Sequence, residues 1–395
     1  MKSFLSVPLV LLFCFGQNVG AQRMWEDLTR PGYSRDSAEV GALFVEADGL
    51  FFFHNNEYSG LLCKGYSLPG LWVQPKLTYN PVRQIHLEAG LHALIFNGAN
   101  KYPCYAYHDI GTWKGNQYQS GAHLLPWFRA QAAFRQLTVV LGNLYGGQNH
   151  GLTEPLFNPE LNLSQDPEMG VQLLWQRPHL QADIWLNWQS YIFRLDTHQE
   201  AFTVGMNWDI KYGKPESAIQ WRTPIQLVIQ HRGGEQDVTT MGAQTVSNAS
   251  LGAALQWNAG HRVLKELGAE VDLLAAYQQN GHLWPFKSGL AIHTRLDFNL
   301  FDRLGLHMGY LCAPRHFITL YGNPLFNTMS QNDHTSFSGN NTVYARADYH
   351  HVIARHYVLG VQAEAFQTWL PHHHEFNYGF GIYLRVNPRL LIKKW

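Results

Sequence analysis

"GVQLLWQRPHLQADIWLNWQSYI", residues 170–192, alternates in character twice over, with its tryptophans near the ends of the alternating runs. Val171, Leu173 and Trp175 make one apolar series, which resumes after Arg177-Pro178-His179 as Leu180, Ala182, Ile184, Leu186 and Trp188. The opposite face reads Gln172, Gln176, Gln181, Asp183, Trp185, Asn187 and Gln189. A period of two makes each run an extended strand, and the short break makes a tight turn between them. Such a hairpin either covers a soluble core or stands in a membrane with its apolar face on lipid.

The N-terminus narrows the choice. Lys2, the apolar run Phe4 to Phe15 and the small residues Val19-Gly20-Ala21 form an export signal, expected to be cleaved after Ala21. Residues 22–41 then form an N-terminal periplasmic segment, and 42–395 a single domain. No later stretch reaches the roughly 18 apolar residues of a membrane helix, so only a β-barrel could span a bilayer. Lys plus Arg and Asp plus Glu both number 29, so no basic excess exists to neutralise phosphates, which argues against nucleic acid as a partner. With 46% hydrophobic residues the chain is not disordered.

The same alternation recurs to the C-terminus. Leu43, Val45, Ala47, Phe51 and Phe53 oppose Glu46, Asp48 and His54. Leu267, Ala269, Val271, Leu273 and Ala275 oppose Glu266, Glu270 and Asp272. Phe376, Tyr378, Phe380, Ile382 and Leu384 oppose Asn377, Gly379, Gly381, Tyr383 and Arg385. The runs amount to about sixteen strands (about 14 to 18), each near the ten residues of a tilted membrane strand. Connections alternate between short (80–82, 135–136, 177–179, 258–261, 302–303, 350–355) and long (55–69, 98–120, 145–168, 232–246, 278–286, 313–340), with 212–223 longer and 193–199 shorter than the rule. A closed antiparallel barrel with short periplasmic turns and long outer loops sorts loop lengths in this way, whereas a β-sandwich has no reason to. Phe53, Trp188, Tyr277, Tyr310 and Trp369 fall at the outer ends of the lipid-facing series, and Tyr79, Phe134, Trp175, Trp208, Trp257 and Tyr349 at the inner ends. Rings placed as two belts mark both membrane interfaces, so the tryptophan face of 170–192 meets lipid and its amide face meets water.

The export signal, alternating strands, sorted loops, aromatic belts and terminal Trp395 together resemble the porin-type outer-membrane β-barrels of Gram-negative bacteria, over essentially the whole mature chain. The resemblance implies an all-β transmembrane antiparallel barrel in the bacterial outer membrane, surrounded by its lipid. Members commonly end in a strand leading to a terminal aromatic residue; here Pro388, Lys393 and Lys394 interrupt that pattern. Such barrels also often fold the third outer loop inward, which in this chain is 145–168. An external loop packed on its neighbours fits that stretch equally well. It contains Pro155-Leu156-Phe157-Asn158, a run repeated at Pro324-Leu325-Phe326-Asn327.

By parity the lumen receives the carboxylates Glu46, Asp48, Glu88, Asp183, Asp209, Glu266, Glu270, Asp272, Asp297, Asp348 and Glu364. It also receives the cations Lys76, Arg129, Arg135, Lys211, Arg295, Arg346 and Arg385. Such residues either line an aqueous pore and tune its selectivity or pair with each other inside a plugged barrel. Side chains alone do not fill an interior about sixteen strands wide, which favours the pore. Histidines cluster at 350, 351 and 356 and at 372–374, but without added cysteines or carboxylates at a ligand spacing, so no metal and no cofactor is expected. No Gly-x-Ser-x-Gly or Cys-x-x-Cys is present, and no enzyme is expected. Cys63 and Cys104, in adjacent outer loops, are the expected disulfide, and Cys312 lies on a lipid-facing series. The expected function is passive passage of small polar solutes, sugars among them, with weak cation preference. The alternative is a poorly conducting scaffold for surface polysaccharide or for secretion and assembly, and a barrel hydrolase is a third reading. Self-association stays open.

Overall fold

In the hairpin 170–192 the strands pair from Gly170↔Asn187 to Arg177↔Leu180, which turns Val171, Leu173, Trp175, Ile184 and Trp188 to the outside and buries Gln172 and Asp183. The computed structural model describes residues 39–96, 121–195, 197–234 and 242–395, and across them this hairpin repeats around a closed ring. The strands are β1 (Ala42–Ser59), β2 (Lys64–Val82), β3 (Ile85–Phe96), β4 (Gly121–Phe134), β5 (Leu137–Asn143), β6 (Met169–Arg177), β7 (Leu180–Ser190) and β8 (Ala201–Tyr212). They continue with β9 (Ile219–Arg232), β10 (Gln244–Asn258), β11 (Leu264–Asn280), β12 (Ser288–Leu300), β13 (Leu304–Ala313), β14 (Asn340–Ala354), β15 (Tyr357–Leu370) and β16 (His373–Val386, resumed at Arg389–Lys394). Sixteen antiparallel strands result, each bonded to its neighbours in sequence.

β16 closes the ring against β1, with Gly49↔Val386 to Glu57↔Tyr378 above the break and Ala42↔Lys394 to Glu46↔Arg389 below it. Pro388 does not end the strand. Its carbonyl accepts from the Ala47 N–H at 3.1 Å, and the Trp395 N–H reaches the Gly41 carbonyl at 3.0 Å. Gly41 has φ +74, and a Cβ there would lie 2.6 Å from the Trp395 carbonyl oxygen, so the closing contact requires glycine.

Outward and inward positions separate as expected along β11, where Val271 is 51% exposed and Asp272 1%. The belt residues Phe53, Trp188, Tyr277, Tyr310 and Trp369, and Phe134, Trp175, Trp208, Trp257 and Tyr349, all lie exposed on the outer surface.

Several connections differ from expectation. Of the outer loop expected over 55–69, only 60–63 is loop, because β1 and β2 run on together to Ser59↔Lys64. The link expected over 212–223 shrinks to 213–218, since β9 begins at Ile219, and β15 joins β16 through His372 and its neighbour alone. Loop lengths therefore sort by side less strictly than the sequence suggests. Arg135, expected in the lumen, sits exposed in a two-residue turn with φ 36. Residues 1–38, over which an export signal is expected, and Cys104 with its loop lie outside the described residues; Cys63 is buried.

β5 and β6 are short. β4 pairs with β5 only from Arg129↔Gly142 to Phe134↔Leu137, although it pairs with β3 along its whole length, Ile85↔Ala132 to Phe96↔Gly121. Among the described residues, the outer half of β4 therefore has a strand neighbour on one side only.

Candidate functional site

The lumen is occupied. The third outer loop (144–168) and the seventh (314–339) turn inward, and Leu152, Leu156, Phe157, Leu161, Phe317, Leu320, Leu325 and Phe326 are buried there. The third loop crosses the interior and bonds to the wall in series. Asn207 on β8 donates to the His150 carbonyl (2.8 Å), the Thr153 N–H donates to Gln226 on β9 (2.8 Å), and the Thr153 hydroxyl donates to Asp272 on β11 (3.1 Å). Glu154 takes two bonds from Arg346 on β14, at 3.1 and 2.6 Å. Glu160 accepts from Tyr66 (2.7 Å) and Asn56 (2.5 Å), and the Trp72 indole donates to the Asn162 carbonyl (3.0 Å). The seventh loop is clamped by Asn248 on β10, which donates to Ile318 (2.9 Å) and accepts from Leu320 (2.7 Å).

The two loops also hold each other. Phe157 and Tyr321 form a parallel bridge, and the Asn158 N–H donates to the Tyr321 carbonyl at 2.7 Å. Pro155 to Asn158, one copy of the repeated run, thus reaches the seventh loop, while the other copy starts a short turn in which the Asn323 side chain accepts from the Leu325 N–H. Peptide groups inside a barrel need partners, and asparagine and glutamine on the inner wall supply them.

Apart from Arg135, the charged residues assigned to the lumen face the interior. Asp48, Lys76, Glu88, Arg129, Asp183, Asp209, Glu266, Glu270, Asp272, Arg295, Asp297, Arg346, Asp348, Glu364 and Arg385 are buried, and Glu46 and Lys211 are partly exposed. They do not stand as separate rows. Cross-strand register sets complements side by side: Asp209–Arg222 (3.3 Å), Arg222–Glu270 (3.2 Å), Glu270–Arg295 (3.2 Å), Arg295–Asp297 (2.9 Å), Asp297–His307 (2.8 Å) and His307–Asp348 (2.6 Å) form one chain from β8 to β14. Glu88 pairs with Lys76 (3.3 Å) and Arg129 (3.0 Å), Glu364 with Arg346 (2.9 Å), and Asp48 with Arg385 (3.1 Å). Glu46 accepts from Arg389 (2.6 Å), Glu266 from Gln256 (2.5 Å), and Lys211 lies 3.8 Å from Asp209. Arg222 was read as loop, and its place on the inward face of β9 follows once β9 starts at Ile219. Glu154, Glu160 and Glu168 join the interior from the third loop, which strand parity does not address.

His150, on the third loop, is wedged between Asp183 (2.7 Å) and Glu168 (3.0 Å), with its ring stacked on Trp185 at 3.6 Å. Trp185 reaches that position by lying over Gly205 on β8, where a Cβ would overlap the indole ring. Burial pushes the imidazole down, yet the two carboxylates outweigh it and raise His150 to about 10. A histidine raised above its ordinary 6.5 contributes stability in full below that value and loses it as pH climbs through the folded value. Protease protection of the third loop is therefore expected to hold at neutral pH and to fall as the pH approaches about 10. His150→Gln should lose that protection already at pH 7, and a pH-independent His150→Gln difference would show that charge is not what holds the loop.

The candidate chemistry outside the lumen is a hydroxyl–imidazole pair at the outer ends of β9 and β10. His231 Nε2 lies 3.0 Å from the Gly233 carbonyl and donates to it, leaving Nδ1 to accept from the Thr245 hydroxyl at 2.8 Å. Phe202 lies against His231 (5.0 Å) and Trp188 against Phe202 (5.3 Å), which sets the pair beside the outer aromatic belt. Among the described residues no group of three His, Cys, Asp or Glu is arranged to hold a metal ion.

A closed antiparallel ring with polar wall, lipid-facing belts and infolded loops defines a porin-type outer-membrane β-barrel. Three solved structures share it: OccAB3 of Acinetobacter baumannii (9% identity, TM-score 0.51, covering 88% of this chain and 99% of that one), OccAB4 of the same organism (10%, 0.50, 90% and 100%) and OpdK of Pseudomonas aeruginosa, determined with vanillate (8%, 0.50, 89% and 99%). At these identities the likeness is one of fold. The chain belongs to the lipid A 3'-O-deacylase-type family, whose sequence profile matches residues 35–395. No curated protein sequence matches it.

Proposed function

We propose that the protein is a passage for small polar solutes, sugars among them, closed in the state described here by the third and seventh loops. The observation that carries this reading is the Glu154–Arg346 pair, which ties a loop to a wall whose inner face carries a chain of paired charges. A wall built only to support surface loops has no need of a continuous inner charge chain; a solute path uses one to set its field. The path itself is non-catalytic. Weak cation preference follows from the inner charge: Arg135 leaves the lumen set, Arg222 enters it, and Glu154, Glu160 and Glu168 add to the acids. In a salt gradient the reconstituted protein is expected to show a reversal potential slightly on the cation side, reduced by Glu270→Gln with Asp272→Asn. Clear anion preference would contradict the assignment. If releasing the loops yields no conductance, the scaffold reading replaces the passage.

The family supports a second reading, hydrolysis of an acyl ester at the outer rim, for which the Thr245–His231–Gly233 arrangement is the specific observation. The Thr245 hydroxyl would be the nucleophile, His231 its base and the Gly233 carbonyl the group orienting the ring. Incubation with lipopolysaccharide and mass spectrometry of released fatty acids tests it. Release abolished by Thr245→Val supports this reading, and no release by the unaltered protein retires it.

A further inference from the structure

The barrel wall has a notch on its outer side. β5 and β6 end at Asn143 and Met169, so Gly121–Phe128 of β4 face, across the width of two absent strands, the end of β7 beyond Asn187. Two strand spacings make this gap about 10 Å wide. Counting roughly ten residues per membrane strand upward from the inner-belt residue Phe134 puts the outer interface near Leu124. The stretch from Phe128 to Leu124 therefore borders the gap within the outer leaflet.

Pro126 supports this placement. The proline is in continuous register with β3, opposite Leu91, and stands at no bulge. Pro75 and Pro224, by contrast, stand where the ladder to β3 and to β10 skips two residues without a change of register. The Phe128 N–H points to the β5 side, where the Asn143 side chain accepts it at 2.8 Å. Two residues earlier, the position lacking an N–H points the same way, into the gap. Proline is tolerated in a strand where its missing donor faces an open edge.

A cavity of about 250 Å³ lies at the notch. Its lining joins both surfaces of the wall: Trp188 belongs to the lipid-facing series and is 41% exposed, whereas Leu125, Trp185, Thr203 and Val228 point inward. The cavity thus passes from the bilayer side to the flank of the third loop, where Leu152 and Phe157 line it. Its far end is polar but uncharged, with the Thr203 and Tyr321 hydroxyls 2.6 Å apart and Gln189 3.5 Å from Tyr321. The charged groups near the entrance already have partners: Asp166 lies 3.2 Å from His123, and Glu168 lies 3.0 Å from the protonated His150.

We propose that this notch admits from the outer leaflet a single-chain amphiphile with an uncharged, hydrogen-bonding head, its acyl chain lying against Leu125, Trp188, Val228 and Phe157. An apolar lining open to hydrocarbon takes the chain, and the Thr203–Tyr321–Gln189 group takes the head. The imidazoles at the entrance are taken up by Asp166 and Glu168, so an anionic head would have to displace an existing pair there. Two chains exceed a gap two strands wide that is already narrowed by the His123–Asp166 pair. The notch is a route through the wall, separate from the central path and from the Thr245–His231 pair.

The test uses the full chain in bilayer nanodiscs with a monoacylglycerol carrying a photoactivatable diazirine in its acyl chain, followed by peptide mapping. Adducts are expected on the peptides holding Leu152, Phe157 and Val228 as well as on lipid-facing residues such as Val271. Leu125→Trp should cut the interior adducts at least tenfold while leaving those at Val271 unchanged, which also reports that the barrel is folded. The same chain borne by phosphatidylcholine or presented as a free fatty acid should label the interior far less. Equal interior labelling by phosphatidylcholine would overturn the single-chain assignment, equal labelling by the free acid would overturn the uncharged head, and adducts confined to lipid-facing residues with the monoacylglycerol would overturn the route itself.

Discussion

Replacing Arg346 by methionine is expected to release the third loop and raise single-channel conductance well above that of the unaltered protein. The Arg346 guanidinium is buried on β14 and bonds Glu154 of the loop twice and Glu364 of β15 once. Removing it leaves two buried carboxylates facing each other without a cation. Breaking a buried ion pair by deleting one partner typically costs about 3–5 kcal/mol. The neutral bonds that remain near Glu154, such as Thr153 to Gln226, contribute only about 0.5–1.5 kcal/mol each. The cheapest relief is for the loop to swing out and hydrate Glu154. Glu154→Gln should do less, because Arg346 keeps Glu364. Proteolysis within 144–168 and conductance in planar bilayers read the same event by different means. A loop that stays protected together with unchanged conductance would remove Glu154–Arg346 as the latch. In the same variant, a cysteine at position 272 should become reactive to water-soluble thiol reagents, whereas with the loop in place Asp272 is covered by Thr153 and His293.

The second large effect concerns the outer face. Val271 lies on β11 between Ala253 of β10 and Thr294 of β12, midway between the belt residues Trp257 and Tyr277. An arginine there must bring its charge into the middle of the hydrocarbon, and Val271→Arg is expected to cost about 2 to 4 kcal/mol. Urea unfolding in lipid vesicles measures it. A change within experimental error would mean that this face meets water. The neighbouring Asp272→Asn supplies the contrast, since its side chain points inward and its loss should leave lipid insertion unaffected.

Much of the barrel was legible because lipid and water impose opposite demands on alternate residues. Along 170–192 and 264–280 the demand is continuous, and there face and belt were both readable. Outside the hydrocarbon it lapses. Asn55-Asn56-Glu57 read as loop, yet they extend β1, because strands above the bilayer meet the infolded loops and each other instead of lipid. Pro388 misled for a related reason: a proline brings no N–H to the ladder, yet β1 continues alongside and holds one register on both sides of it. Most charged residues on the inward strand faces were readable by parity, though Arg222 was missed and Arg135 wrongly included. Their pairing was not, since Glu270 opposite Arg295 and Asp297 opposite His307 depend on strand register.

What the sequence by itself determined is the barrel, its two faces and the level of its rims, because each rests on local period-two chemistry read against two solvents. Whether the lumen is open was decided only by tertiary structure. The third loop's course depends on Arg346, Gln226, Asn207 and Tyr66, residues between about 50 and 200 positions away along the chain. The notch beside β4 was likewise invisible, although Pro126 marked it. A proline in a strand signals a missing hydrogen bond, but only the assembled wall shows which neighbour is absent.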